Sequence, residues 1–250
     1  MVERISVTIL TKNSKRYLAR CLDALAEFDE ILIVDNGSSD ATLEIAARYP
    51  NVRVVEHEFT GFGPLKNFAV KEAKNDWIFS VDSDEVATPG LIDSIKELDF
   101  KDISKIYTVE RLNHYRQKPV KCCGWYPDEV MRLFNRKFTS FSDAMVHESL
   151  IVPGGAKIVK LEGELLHYPF DSVESLIAKM QSYSTLYAEG SGKPSSPAKA
   201  FFRAAFAFFK NYILQRGFLC GYEGLLISVS NANGVFYKYM KLYERRREKK

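Results

Sequence analysis

Neither of the two common glycine-rich phosphate loops is present in this chain. The absence of G-x-G-x-x-G disfavours a dinucleotide cofactor, and the absence of G-x-x-x-x-G-K-[ST] excludes an ordinary phosphate-binding loop. Cysteine is scarce: Cys21, Cys122, Cys123 and Cys220 form no C-x-x-C and have no structural-zinc spacing. Reduced thiols in a cytosolic protein are the simplest expectation. No uncharged apolar run reaches the roughly 18 residues that a spanning helix needs. The segment Met1-Val2-Glu3-Arg4-Ile5 leads straight into a strand pattern and lacks the features of a signal peptide. An excess of one charge is missing too, since 35 basic and 32 acidic residues leave a net +3, which makes no global case for nucleic acid. The basic run at residues 245–250 reads as a solvated terminus.

What is present is a globular composition, 46% hydrophobic and 27% charged, over 250 residues. That length suits one large α/β domain or a domain with an accessory segment. The chain is organised around residues 78–86, where the apolar run Ile78-Phe79-Ser80-Val81 ends in Asp82, Asp84 and Glu85. The run reads as a buried parallel strand. Three carboxylates inside that strand would be too costly without compensating charge, so they belong at its carboxyl end, where open α/β sheets bind ligands. Acids at i and i+2 there can hold a hard cation, magnesium or manganese, that also grips a diphosphate. The plainer alternative is a polar loop in which Asp or Glu caps a helix beginning at Pro89.

Strands at Ile5–Leu10, Ile31–Val34, Val52–Val55 and 78–81 alternate with helices expected over Tyr17–Phe28, Ala41–Tyr49 and Leu65–Ala73. Asp40 is a candidate N-cap for the second of these helices. Alternation with short loops predicts βαβ units, hence a Rossmann-like, mostly parallel sheet flanked by helices. The polar clusters at 11–14, 35–40 and 82–85 all follow strands, so they collect at one sheet edge. A carboxylate after the second strand, here Asp35, often reads a ribose or base edge, although Asp-Asn-Gly-Ser is also good turn chemistry.

With these residues in place the sequence resembles the family 2 glycosyltransferases, inverting enzymes with a nucleotide-sugar-binding GT-A fold. The likeness rests on Ile9-Leu10-Thr11-Lys12-Asn13, on Ile33 to Asp40 and on Ser80-Val81-Asp82-Ser83-Asp84-Glu85. It extends to the bacterial lipopolysaccharide core glycosyltransferases of the WaaE/KdtX type through Gly61-Phe62-Gly63-Pro64-Leu65-Lys66-Asn67, Trp125-Tyr126-Pro127-Asp128, Arg132-Leu133-Phe134, Val146-His147-Glu148 and Leu166-His167-Tyr168.

The resemblance implies roles. Thr11 lies near the base, Asp35 hydrogen-bonds a uracil-like edge, Lys66 sits near the nucleotide, Asp82 faces the ribose and Asp84 binds the metal bridging the diphosphate. Relatives commonly carry Glu after the Asn of the first loop, whereas Asn13 is followed here by Ser14-Lys15. Inversion at an anomeric carbon needs one carboxylate to take the acceptor's proton. Glu148 stands at the matching place for that base, with Asp143 as the second choice. His167 is a candidate extra metal ligand, with a structural hydrogen-bonding role as the alternative. Trp125, Tyr126 and Arg132 are candidates for the acceptor pocket, or for the core.

Residues 1–170 are therefore expected to form the catalytic domain and 171–250 a C-terminal helical region. Ser172–Glu189, Ala198–Gln215 and Leu225–Tyr243 read as helices. The middle one mixes Phe201, Phe202, Phe206, Phe208 and Phe209 with Lys199, Arg203 and Lys210. It reads as a helix lying on an anionic membrane surface or packed on protein. The combined expectation is a cytoplasmic, metal-dependent glycosyltransferase at the inner face of the cytoplasmic membrane. It would use a nucleotide-sugar donor, UDP-linked as the resemblance implies, and a lipid-linked or lipopolysaccharide-core acceptor. The rivals are a sugar nucleotidyltransferase, whose glycine-rich signature residues 9–15 lack, and a nucleotide-binding, membrane-docking module without catalysis.

Overall fold

The computed structural model describes residues 2–145, 148–191 and 193–248. The chain divides into two compact units, Met1–Arg111 with Asp128–His167, and Leu112–Pro127 with Tyr168–Lys250. The second unit thus combines an internal segment with the C-terminal helices.

In the first unit, β1 (Val2–Thr11), α1 (Leu18–Ala24), β2 (Phe28–Asp35), α2 (Thr42–Ala46), β3 (Val52–Glu56), α3 (Phe62–Glu72) and β4 (Trp77–Asp82) follow in order. Then come β5 (Glu85–Ala87), α4 (Pro89–Lys96), β6 (Lys105–Tyr115), the two-residue β7 (Lys118–Pro119) of the second unit, β8 (Glu129–Asn135) and β9 (Lys157–Phe170). The strand order is β3-β2-β1-β4-β8-β6-β9-β5, with β7 paired to β6. Pairing among β3, β2, β1 and β4 is parallel, as the alternation with helices requires. Beyond β4 the pairs β4–β8, β6–β8 and β5–β9 are antiparallel, so the sheet is mixed and its parallel part is the nucleotide-binding half expected of a GT-A fold.

The parallel strands are buried on both faces, and residue parity decides which core each side chain joins. Ile31, Ile33, Phe79 and Val81 pack with Leu22 of α1, Ile45 of α2 and Leu91 and Ile95 of α4. Leu32, Val34 and Ile78 face the other way, onto Leu65, Ala69 and Val70 of α3. Several helices are shorter than the sequence pattern suggests. The first stops at Ala24 because Phe28 is already needed in β2. The second begins after Ala41, so Asp40 is not its N-cap; its Oδ1 accepts from Thr42 N at 3.0 Å as a turn. The acids of 82–85 do not cap a helix either, because β5 intervenes and Thr88 precedes Pro89.

The N-terminus of α3 docks on the segment that leads toward Glu148. Phe62 N donates to Met145 O at 3.1 Å and Gly63 N to Ala144 O at 3.0 Å. A Cβ on Gly63 would come within 2.0 Å of Ser142 O, so only glycine permits this approach. One turn on, the Asn67 amide pairs with both the N–H and the C=O of Phe141, at 2.9 Å each.

The second unit is helical: α5 (Val173–Gly190), α6 (Pro197–Phe209), a π-helical turn (Lys210–Leu214), a 3₁₀ turn (Gly217–Cys220) and α7 (Gly221–Glu248). Ser172 caps α5 in a reciprocal capping box with Ser175, and Ser196 caps α6. The expectation of four reduced thiols is corrected here. Cys122 and Cys220, 98 residues apart, form a disulfide, which ties the internal segment to the helices of the same unit. Nothing in the spacing could show this, because the pairing depends on where the 3₁₀ turn lies. Cys21 and Cys123 are free and buried. Among the described residues no helix is long and apolar enough to cross a membrane.

Candidate active site

Three loops leave the carboxyl ends of β1, β2 and β4 side by side, because Thr11 pairs with Asp35 and Leu10 with Asp82 in the sheet register. Side chains then knit them together. Asn13, in the left-handed region at φ 53°, accepts from Ser39 N at 2.8 Å, and its own N–H donates to Ser38 Oγ at 2.9 Å. Ser14 N donates to Thr42 Oγ1 at 2.7 Å, and the Ser14 and Ser83 hydroxyls meet at 2.9 Å. Ser14, at the position where relatives commonly carry Glu, thus fastens the first loop to the acid loop.

Asp35 is 1% exposed. Oδ1 accepts from the hydroxyls of Thr11, at 2.7 Å, and Ser38; Oδ2 accepts from Gly37 N at 3.0 Å and Ser38 N at 2.8 Å. A carboxylate has about four acceptor positions, so this one is filled by its own surroundings. Asp35 and Thr11 thus hold the shape of the loop through their side chains. Burial pushes the carboxyl pKa up, but the bonds from Ser38, Thr11 and Gly37 outweigh it and hold it below the usual range.

The acid cluster is the centre of a chain of alternating charges. Asp128 Oδ2 receives Arg111 Nε at 2.8 Å, and Arg111 Nη1 lies 3.4 Å from Glu85 Oε1. Arg132 bonds the same oxygen of Glu85 and reaches Asp82 Oδ2 at 2.7 Å. Lys66 Nζ, on α3, sits 3.3 Å from Asp82 Oδ1 and 2.9 Å from Glu148 Oε1. Glu85 is fully buried and its other oxygen accepts from Asp82 N at 3.0 Å. Burial opposes charge on Asp82, yet Arg132 and Lys66 prevail and hold its carboxyl well below the ordinary range. Burial and the neighbouring Glu85, Asp84 and Asp82 push the Cys21 thiol up, keeping it protonated beside the site.

The expected residues are thus sorted. Lys66, Asp82, Asp84, Glu148 and His167 are brought to one region of the first unit. Asp143 is exposed and accepts from Asn67 Nδ2 at 3.2 Å. Arg132 is buried between Asp82 and Glu85, which corrects its placement in an acceptor pocket: the guanidinium neutralises the acids from within. Trp125 and Tyr126 belong to the second unit, where Trp125 stacks on Phe170 with centroids 5.6 Å apart and Lys121 lies over Tyr126. Val146 and His147 lie outside the described residues. Sequence reasoning missed Arg111, Glu85 as a buried partner, Ser14 and Ser83. An acid in an apolar run implies a buried cation, but nothing local says which one.

Asp84 Oδ2 and His167 Nε2 stand 3.5 Å apart, since Glu85 pairs with His167 across β5 and β9. The carboxylate, with water and phosphate oxygens as remaining ligands, would suit magnesium or manganese, and an added imidazole favours manganese of the two. Among the described residues no third His, Cys, Asp or Glu joins them. The charge balance fits as well. Asp128, Glu85, Asp82 and Glu148 outnumber Arg111, Arg132 and Lys66 before Asp84 is added, so a diphosphate arriving here needs further positive charge.

Comparison with known proteins agrees with this geometry. A profile described as glycosyl transferase family 2 matches residues 6–119, which span the three loops and the acid cluster. An uncharacterised glycosyltransferase of Rickettsia felis is 30% identical, covering 97% of this chain and 90% of its own. A lipopolysaccharide core biosynthesis glycosyltransferase of Rhizobium meliloti, LpsC, is 26% identical over 96% of this chain and 92% of its own. The crystal structure of S. aureus TarS 1-349 in complex with UDP covers 98% of this chain and 92% of that chain at 17% identity, with a TM-score of 0.47, a likeness too loose to carry an argument. The chain belongs to glycosyl transferase family 2 and is a glycosyltransferase.

Two outcomes follow from the charges. Arg132→Met leaves Glu85 buried without its main partner and should cost about 3–5 kcal/mol, read as a lower denaturant midpoint. Asp35 has a depressed folded pKa, so its stabilisation is present above the unfolded value near 3.9 and is lost as the pH falls through the folded value. The melting temperatures of the parent and Asp35→Asn should therefore differ by a constant amount above about pH 5 and converge below about pH 4.

Proposed function

We propose that this enzyme moves a sugar, with inversion, from a nucleotide-sugar donor to a lipopolysaccharide-core or lipid-linked saccharide acceptor. By the family resemblance the donor is expected to be UDP-linked. The observation that carries the reading is Lys66, held between Asp82 on the sheet edge and Glu148 on the segment beyond it. Family membership supports the nucleotide-sugar donor, and the likeness to LpsC over nearly the whole chain supports the acceptor class. An anionic membrane surface is the further partner that such an acceptor implies.

Each residue has a task in this scheme. The linked loops, shaped by Thr11 and Asp35, cradle the nucleoside, with Asp82 toward the ribose. Asp84 and His167 would hold a divalent cation, which when bound neutralises charge developing on the departing diphosphate. Glu148, 2.9 Å from Lys66, takes the proton from the acceptor hydroxyl as that oxygen attacks the anomeric carbon from the face opposite the leaving group. Lys66 positions Glu148 and adds positive charge on the donor side. Arg132 holds Asp82 and Glu85 in place, and Arg111 holds Glu85 from its other side. Release of nucleoside diphosphate only when acceptor is present tests the scheme against a nucleotidyltransferase and against a silent binding module.

Glu148→Gln keeps the size of the side chain but removes the proton acceptor, so kcat should fall about a hundredfold or more with donor affinity little changed. Asp143→Asn should stay close to the parent; the reverse pattern would make Asp143 the base. Asp84→Ala should abolish metal-stimulated turnover while the thermal transition stays intact. Undiminished turnover at limiting metal would remove Asp84 from the ligand set.

A further inference from the structure

Helix α6 wears its apolar side outward. Ala200, Ala204 and Ala207, spaced i, i+4 and i+7, form one stripe of the helix, and Ala200 is fully buried. Ala204, Ala205 and Phe208 line a groove with Val229, Ala232 and Phe236 of α7. Two residues on, with the same spacing, Phe202, Phe206 and Phe209 form the opposite stripe, since successive residues turn by about 100°. Phe202 is 70% and Phe206 59% exposed. The apolar surface continues past the π-helical turn through Leu214, Phe218 and Leu219, the last 68% exposed. A helix that only packed on protein would turn these rings inward and leave the alanines out.

Charge points to what covers this face. Lys199, Arg203 and Lys210 follow one edge of the phenylalanine stripe, and Arg216 lies at the next turn. No acidic residue occurs from Gly190 through Tyr222. A second copy of this face would bring only further cations, since residues 190–222 carry no acid to compensate them. A lipid surface with anionic headgroups meets both requirements, apolar depth for the rings and phosphates for the cations. We propose that the outward face of α6, with the turns that follow it, is a membrane-docking surface that lies in the headgroup region of an anionic bilayer and does not cross it. This surface stands independently of the catalytic reading, because vesicle binding needs no turnover.

The test uses the full chain with sedimented vesicles, either wholly phosphatidylcholine or with about a quarter phosphatidylglycerol. The parent should bind the anionic vesicles and be released as salt rises, because exposed charges are screened. Arg203→Glu with Lys210→Glu, and separately Phe202→Ser with Phe206→Ser, should each weaken binding by about tenfold or more. All these side chains are exposed, so both variants should keep the parent's thermal transition and its transfer to a water-soluble acceptor. A parent that ignores anionic vesicles at low salt overturns the proposal. So does binding that is equal on both vesicle types and unmoved by charge reversal. A parent that sediments as a dimer split by the phenylalanine variant, without vesicle binding, would make the face an interface between copies. Loss of transfer in Glu148→Gln with vesicle binding retained separates the two readings.

Discussion

Fully buried Glu85 is the constraint on which the site depends. A carboxylate without solvent at the end of β4 and β5 can exist only if cations are delivered to it, and two arginines are, one from β6 and one from β8. Arg132 then has a second partner within reach in Asp82, and Asp82 has a second in Lys66. Each charge in the series is held by its neighbours on both sides, so the positions of Asp82 and Glu148 follow from a burial problem solved deeper in the sheet. The antiparallel half of the sheet is what makes the solution possible. It brings β8, from residues some fifty positions later in the chain, alongside β4.

How much of this was legible in the sequence differs from element to element. The parallel strands were, because apolar runs ending in polar clusters state both burial and direction. The acid cluster was, because carboxylates following such a run have nowhere else to go. Arg111 and Asp128 were not: each is an ordinary charged residue in its local context, and only β6 and the segment before β8 bring them together. Asp35 was legible as a carboxylate at the strand end but its four hydrogen bonds were not, since bonds from three residues depend on a register that spacing alone does not give. The fourteen-residue strand β9 was missed apart from its histidine because its first half is largely exposed, without a regular alternation, and carries Lys157, Lys160 and Glu162. The Cys122–Cys220 link, closing 98 residues, was beyond any local pattern.

The helical unit shows a related limit. Composition indicated that α6 is aromatic and basic, and both readings of that fact, lipid or protein, place phenylalanine against something apolar. Which face carries the rings is a matter of packing. The alanine stripe decides it, because small side chains allow α6 to settle on α7 while Phe202, Phe206 and Phe209 stay outside.

Helix α3 carries Lys66 on one turn and grips the backbone at Phe141, Ala144 and Met145 with the same two turns. The carboxylate of Glu148 meets Lys66 of the same helix at 2.9 Å. Gly63 fixes this mooring through the methyl group it lacks, far more than through any freedom of its backbone. A single hydrogen atom on an α-carbon thus sets how closely the helix that bears Lys66 can approach the backbone at Ser142 and Ala144.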